Sequence, residues 1–142
     1  MIEKSAEKGI SISEYSQKAT DVLRYTDVSG VENLVSYYFA IVEELRKKGY
    51  TVVEVTNTFS ATNVPYRGIN TLVKSNTGYV FELQFHTPQS LEVKEENHKL
   101  YEEYRLAKTT KERKKVLTNL MQNNADKIVV PKNIQKVANK GV

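Results

Sequence analysis

The chain has 142 residues, 39% hydrophobic and 27% charged, with a net charge of +4 from 21 basic and 17 acidic side chains. That length and balance fit one globular domain with a sizeable core, and no apolar run reaches the length of a membrane span. The absence of cysteine excludes disulfides and thiolate metal sites, while the modest positive surplus suits a polyphosphate ligand and does not by itself indicate DNA.

From the start, residues 1–9 are charged, expected as a loose segment or a frayed helix, and carry no basic-then-apolar leader pattern, which sets a cytoplasmic expectation. Ser11 and Glu14 have capping-box spacing, and Ile12, Tyr15, Ala19 and Val22 recur at helical intervals, so a helix is expected over 12–21. Residues 23–28 read as a short strand. Ser29-Gly30 followed by Glu32 offers a second capping box. Behind it Val31, Leu34, Val35, Tyr38, Ile41, Val42 and Leu45 form an amphipathic stripe that ends at Lys47, Lys48 and the C-capping Gly49. Residues 50–57 are rich in β-branched side chains and strand-like.

A polar loop over 58–64 leads to the stretch Pro65-Tyr66-Arg67-Gly68-Ile69-Asn70-Thr71. A polar turn over 74–78 then leads to Phe81-Glu82-Leu83-Gln84-Phe85-His86-Thr87. The two runs predict one antiparallel hairpin. Alternation places Phe81, Leu83 and Phe85 on one face, to pack against helices, and Glu82, Gln84 and His86 on the other, with water the ordinary neighbour of such a face. Pro88 opens a helix expected to run to about Leu106, on which His98, Tyr101 and Arg105 share one side. Thr109 with Glu112 caps a last helix carrying Val116, Leu117, Leu120 and Met121. Residues 128–131 read as an extended segment before a basic tail. The order describes an α+β fold: a single domain with a small mixed β-sheet flanked by helices.

Several chemistries are set aside. The chain has no glycine-rich phosphate loop, no serine in a nucleophile elbow, and no metal-ligand spacing between His86 and His98. What remains are two carboxylates, Asp21 and Glu82, with Arg24, Tyr66, Arg67 and His86 near them. Acidic groups from neighbouring strands can hold Mg²⁺, which prefers oxygen ligands. A surface or capping aspartate and a solvated strand face are the plain alternatives.

The order Asp21-Val22-Leu23-Arg24-Tyr25, then Tyr66-Arg67-Gly68-Ile69-Asn70, then Phe81-Glu82-Leu83-Gln84-Phe85-His86-Thr87 resembles the synthetase domain of the RelA/SpoT family. The variant is most similar to the toxin-like domains at the ends of phage head-morphogenesis proteins, which also carry a His-x-x-Tyr-Glu segment like His98 to Glu102. The resemblance spans roughly 11–131 and implies a nucleotidyltransferase-like fold. It also implies Mg²⁺-dependent transfer of pyrophosphate from ATP to a ribose 3′-hydroxyl of a nucleotide or RNA. The alternative is a catalytically inactive nucleotide- or RNA-binding domain of a phage or mobile-element protein.

Residue by residue, the resemblance makes Asp21 and Glu82 the metal ligands and groups these two with Gln84 as catalytic. Glu82 matches the family's glutamate, which binds the metal or deprotonates the acceptor hydroxyl. Tyr66 matches the tyrosine that stacks on the acceptor base. Arg24, Arg67, Asn70, His86 and His98 complete the implied nucleotide site. Two positions depart from the synthetase pattern: His86 stands where the synthetases have arginine, and Asn70 where they have histidine. Both bear on which acceptor is used. The family's phosphate-gripping Arg-x-Lys segment has no counterpart in the 20 residues before Asp21, which offer only Lys4, Lys8 and Lys18. The chain is thus expected to be the N-terminally truncated piece of a longer parent, or to have lost donor binding. The toxin-type members add an immunity or antitoxin protein to the expected partners, and delivery as a toxin or carriage in a phage particle to the expected locations.

Overall fold

The computed structural model of the chain describes residues 2–5 and 22–141. The helix expected over 12–21, and Asp21 itself, lie outside these described residues. In chain order the elements are β1 (Ile2–Ser5), β2 (Val22–Val28), α1 (Leu34–Lys47), β3 (Thr51–Asn57), β4 (Ile69–Lys74), β5 (Val80–His86), α2 (Pro88–Tyr104) and α3 (Lys111–Asp126), then a 3₁₀ turn at Ile134–Lys136. They form the expected α+β arrangement around one five-stranded sheet in the order β1-β2-β5-β4-β3. β5 runs parallel to β2, and the other pairs are antiparallel.

Register makes the sheet two-faced. Arg24 pairs with Glu82, Thr26 with Gln84 and Val28 with His86, while across β4 Asn70 pairs with Gln84 and Leu72 with Glu82. One face is therefore mostly polar. The other gathers Val55, Ile69, Val73, Phe81, Leu83 and Phe85, packed with Leu34, Val35 and Tyr38 of α1 and with Ile128, Ile134 and Val137 of the C-terminal segment. Tyr38 meets Phe85 edge-on with ring centroids 5.1 Å apart, a favoured aromatic geometry. Burial of this apolar set supplies the main driving force for the fold.

The expected hairpin exists, but its first strand starts at Ile69 rather than Pro65. The backbone N–H of Gly68 donates to Thr58 Oγ1 (3.1 Å), and the Gly68 carbonyl accepts from Thr58 N (2.9 Å). Those groups thus belong to the 58–68 loop and not to the strand ladder. α1 has Asn33 at its N-cap with no side-chain cap bond, so the expected Ser29–Glu32 box is not formed. Its C-terminus does end as predicted. Gly49 takes φ +88°, with Gly49 N donating to Arg46 O and Tyr50 N to Leu45 O, a Schellman closure that favours glycine. α3 is capped by Thr110, whose hydroxyl accepts from Arg113 N, and not by Thr109. Residues 128–131 pair with no strand among the described residues. Ile128 and Pro131 are buried there, and Val129 and Val130 are exposed. Further on, Lys140 bridges Val55 and covers the open edge of β3.

Candidate active site

The polar face of β5 is not in water. At its far end His86 is fully buried and Gln84 nearly so, because β2 and β4 flank the strand and α2 turns back across it. α2 begins within two residues of His86, and its N-cap is Thr87. Thr87 Oγ1 accepts from Ser90 N (3.0 Å), and Ser90 Oγ accepts from Thr87 N (2.9 Å). This reciprocal cap fixes the first turn, so residues at intervals of four reach the strand again. Ser90 meets His86, and Lys94 Nζ donates to Gln84 Oε1 (3.3 Å).

Four side chains make a continuous chain that runs from the half-buried Tyr66 and Asn70 to the fully buried His86 and Ser90. Tyr66 Oη donates to Asn70 Oδ1 (2.6 Å) and contacts His86 Nε2 (3.0 Å), and His86 Nδ1 contacts Ser90 Oγ (2.7 Å). With the Asn70 amide oriented oxygen-first, the single phenolic proton is used on Asn70. His86 Nε2–H then donates to Tyr66, and the bare Nδ1 is an acceptor for the Ser90 hydroxyl at 2.7 Å, closer than that hydroxyl's other acceptor, Thr87 O at 3.2 Å. The imidazole is thus neutral. Burial, with the nearby Lys94 charge adding to it, brings its pKa down to about 4. Burial likewise pushes the Tyr66 phenol well above its ordinary value. The Tyr66 ring stands edge-on to the imidazole, 88° between planes and 5.6 Å between centroids.

Toward the other end of β5, Arg24 Nε donates to Glu82 Oε1 at 2.8 Å, both side chains being partly buried. A cleft of about 770 Å³ opens between β2, the 65–66 segment, α2 and α3; Arg24, Tyr66, Lys94, His98, Lys99 and Tyr101 are among its lining residues. Its wall combines two tyrosines and three cationic residues, Arg24, Lys94 and Lys99, with one acidic residue, Glu95; rings and a cationic surplus suit a base joined to phosphates. Among the sequence-predicted residues, the structure brings Arg24, Tyr66 and His98 to this cleft. Glu82, Gln84, Asn70 and His86 stand beside them through direct hydrogen bonds to lining residues. His98 is exposed and lies 3.4 Å from Glu102.

Arg67 does not line the cleft. It is buried and donates through Nε to Val64 O (2.9 Å) and through Nη2 to Asp126 Oδ1 (3.0 Å), tying the 64–68 segment to the end of α3. Gln122 reinforces the same junction, donating to both Asp126 Oδ1 and Thr62 O.

Sequence reasoning missed Gly68, Ser90, Lys94 and Asn97. Ser90 had a signal, since Thr87-Pro88-Gln89-Ser90 has cap spacing and Ser90 follows His86 by four. Asn97 is buried and joins the two C-terminal helices, donating to Met121 O (3.1 Å) and accepting from Asn124 Nδ2 (2.9 Å). Gly68 had no signal. A Cβ there would lie 2.7 Å from His86 Cε1, so only glycine leaves room for the imidazole.

No protein-family model matches the chain, and no curated protein matches its sequence. Solved structures do. Small alarmone synthetase 2 from Bacillus subtilis superposes with a TM-score of 0.58 at 15% identity, over 89% of this chain and 73% of that one. The chain has the fold of the small alarmone synthetases. A GTP pyrophosphokinase family protein from Streptococcus pneumoniae shares the same fold, with a TM-score of 0.52 at 17% identity over 89% of this chain and 70% of that one. The chain spans only 55% of the length of smu.1046c from Streptococcus mutans UA159, to which it is 19% identical over 76% of its own length, with a TM-score of 0.48. At these identities the likeness to the alarmone synthetases is one of fold.

No group of three or more His, Asp or Glu among the described residues is arranged to hold a metal ion. Magnesium needs less, because it is commonly held through one or two carboxylates and completed by waters and substrate phosphates. Arg24 engages one oxygen of Glu82, and the second is of the type Mg²⁺ takes. Glu82 would be the described ligand of such an ion, which would neutralise charge on the phosphates when bound; Asp21, the other expected ligand, lies outside the described residues. No helix among the described residues is long and apolar enough to cross a membrane.

Proposed function

We propose that the chain is a pyrophosphotransferase of the alarmone-synthetase type, taking pyrophosphate from ATP to the 3′-hydroxyl of a nucleotide or of an RNA end. The observation that carries this reading is the arrangement on one cleft. The carboxylate of Glu82 is held by Arg24, a lining residue, while Tyr66, Lys94 and Lys99 line the same space together with Glu95. Such transfer needs an in-line hydroxyl, a proton acceptor and compensation of phosphate charge. Tyr66 offers a ring for the base to lie against. Lys94, Lys99 and Arg24 offer cations for the phosphates. Glu82, with its orientation fixed by the Arg24 bond, is the proton acceptor for the attacking hydroxyl.

The test uses the whole chain with ATP, Mg²⁺ and a panel of guanine, adenine and RNA acceptors, reading AMP release together with a pyrophosphorylated product. Glu82→Gln keeps shape and loses the proton-accepting charge, so turnover should drop by roughly 10²-fold or more while the protein stays folded. Equal turnover in the variant would remove Glu82 from the role. Nucleotide binding with no AMP from the wild type under any acceptor would leave a binding domain in place of an enzyme.

A further inference from the structure

We infer that Ser90 is a positioning residue for the cleft, acting through His86 to hold the Tyr66 ring at the wall where a ligand lies. This rests on the reading of the cleft as a nucleotide site and adds to it a residue that contacts no ligand. Tyr66 leaves the sheet on a loop, yet its hydroxyl is fixed from within by Asn70 and His86 at 2.6 and 3.0 Å. His86 has no freedom of its own. Its ring is fully buried, one nitrogen faces Tyr66, and the other faces Ser90 at 2.7 Å. Gly68 closes the remaining side, since even a Cβ there would come within 2.7 Å of the ring.

The Tyr66–Asn70 bond uses the phenolic proton and leaves Nε2–H to donate to the phenol; the Ser90 hydroxyl then holds that tautomer by donating to the bare Nδ1 at 2.7 Å, its other acceptor being Thr87 O at 3.2 Å. Without that hydroxyl both tautomers become available. In one of them Nε2 is bare and competes with Asn70 for the phenolic proton, so the ring loses its single orientation. The other charged group facing His86 is Lys94, on the same helix, and it disfavours a cationic ring. Tyr66, Ser90 and Asn70 are the neutral polar groups that complete the surroundings.

Ser90 also caps α2, so the experiment must separate the two jobs. Thr87→Val serves as the control: it removes the hydroxyl that accepts from Ser90 N and leaves the Ser90–His86 contact in place. Both variants should lose similar stability. The chain has only two histidines, so ¹⁵N-histidine spectra resolve His86 directly. In wild type and Thr87→Val, His86 should be neutral and protonated on Nε2, with a cross-peak between its ring and that of Tyr66. In Ser90→Ala the tautomers should average and the cross-peak fade. Binding of mant-GDP and mant-ADP should weaken by roughly three- to tenfold in Ser90→Ala, the scale of one hydrogen bond, and stay near wild type in Thr87→Val. A fixed Nε2–H tautomer with an intact cross-peak in Ser90→Ala overturns the inference, and so does equal nucleotide binding by the two variants. Failure of both probes to bind wild type would instead overturn the reading of the cleft, and the spectra alone would then decide whether Ser90 positions Tyr66.

Discussion

Gly68→Ala places a methyl group against the most confined side chain of the polar face. The new Cβ would sit 2.7 Å from His86 Cε1 and 3.1 Å from Tyr66 Oη, whereas ordinary contact begins near 3.4 Å. His86 cannot retreat at no cost. It is fully buried and bonded at both ring nitrogens, so a shift of several tenths of an ångström strains the contacts to Ser90 and Tyr66. Overpacking of this kind costs about 1–3 kcal/mol. The φ of Gly68 lies outside the positive range, so alanine gains about 0.4–1 kcal/mol from a less flexible unfolded chain. The net expectation is a loss of about 1–2 kcal/mol, or a Tm lower by roughly 3–7 °C for a domain of this size. Urea and thermal unfolding read it directly. In a His86→Ala background the methyl has space, and the penalty should shrink by about 1 kcal/mol or more, a coupling expected only of residues in contact. A Gly68→Ala protein as stable as wild type, or the same penalty in both backgrounds, would refute the steric argument.

Stability should also report on His86 through pH. The folded-state pKa near 4 lies below the ordinary 6.5, so between those values the unfolded chain binds the proton that the native state refuses. Stability is then full above pH 6.5 and lost progressively down to about pH 4, by about 3 kcal/mol in total. Chemical denaturation of wild type and His86→Gln across pH 4–7 isolates the effect as a difference curve, and parallel curves would contradict it. The Arg67 clamp makes a third expectation. Arg67→Ala should cost about 2–4 kcal/mol, because it empties a buried site and leaves the Val64 carbonyl unpaired. Asp126→Asn should cost under about 1 kcal/mol, since that carboxylate is 56% exposed. Equal costs by urea unfolding would show that the charge pair, and not the buried guanidinium, holds the loop.

The sequence by itself determined most of the elements, the polar and apolar faces of β5, and the three segments that identify the fold. Alternation in Phe81 to His86, the stripe behind Leu34 and the Gly49 stop are local patterns, and local patterns are set by backbone geometry that every chain shares. Tertiary structure decided what those patterns meant. The Glu82, Gln84 and His86 face reads as a solvated one, but α2 folds back over it because the cap at Thr87 starts the helix immediately after the strand. Arg67 reads as a ligand-binding cation beside Tyr66, yet it turns inward to Asp126, 59 residues away in sequence. Gly68 is legible only once His86 stands beside it. The pairing of Arg24 with Glu82, 58 residues apart, depends on β5 entering the sheet next to β2. A hydrogen bond or a steric limit between distant residues leaves no periodic trace in the chain, so such partners become readable only when the sheet order brings them together.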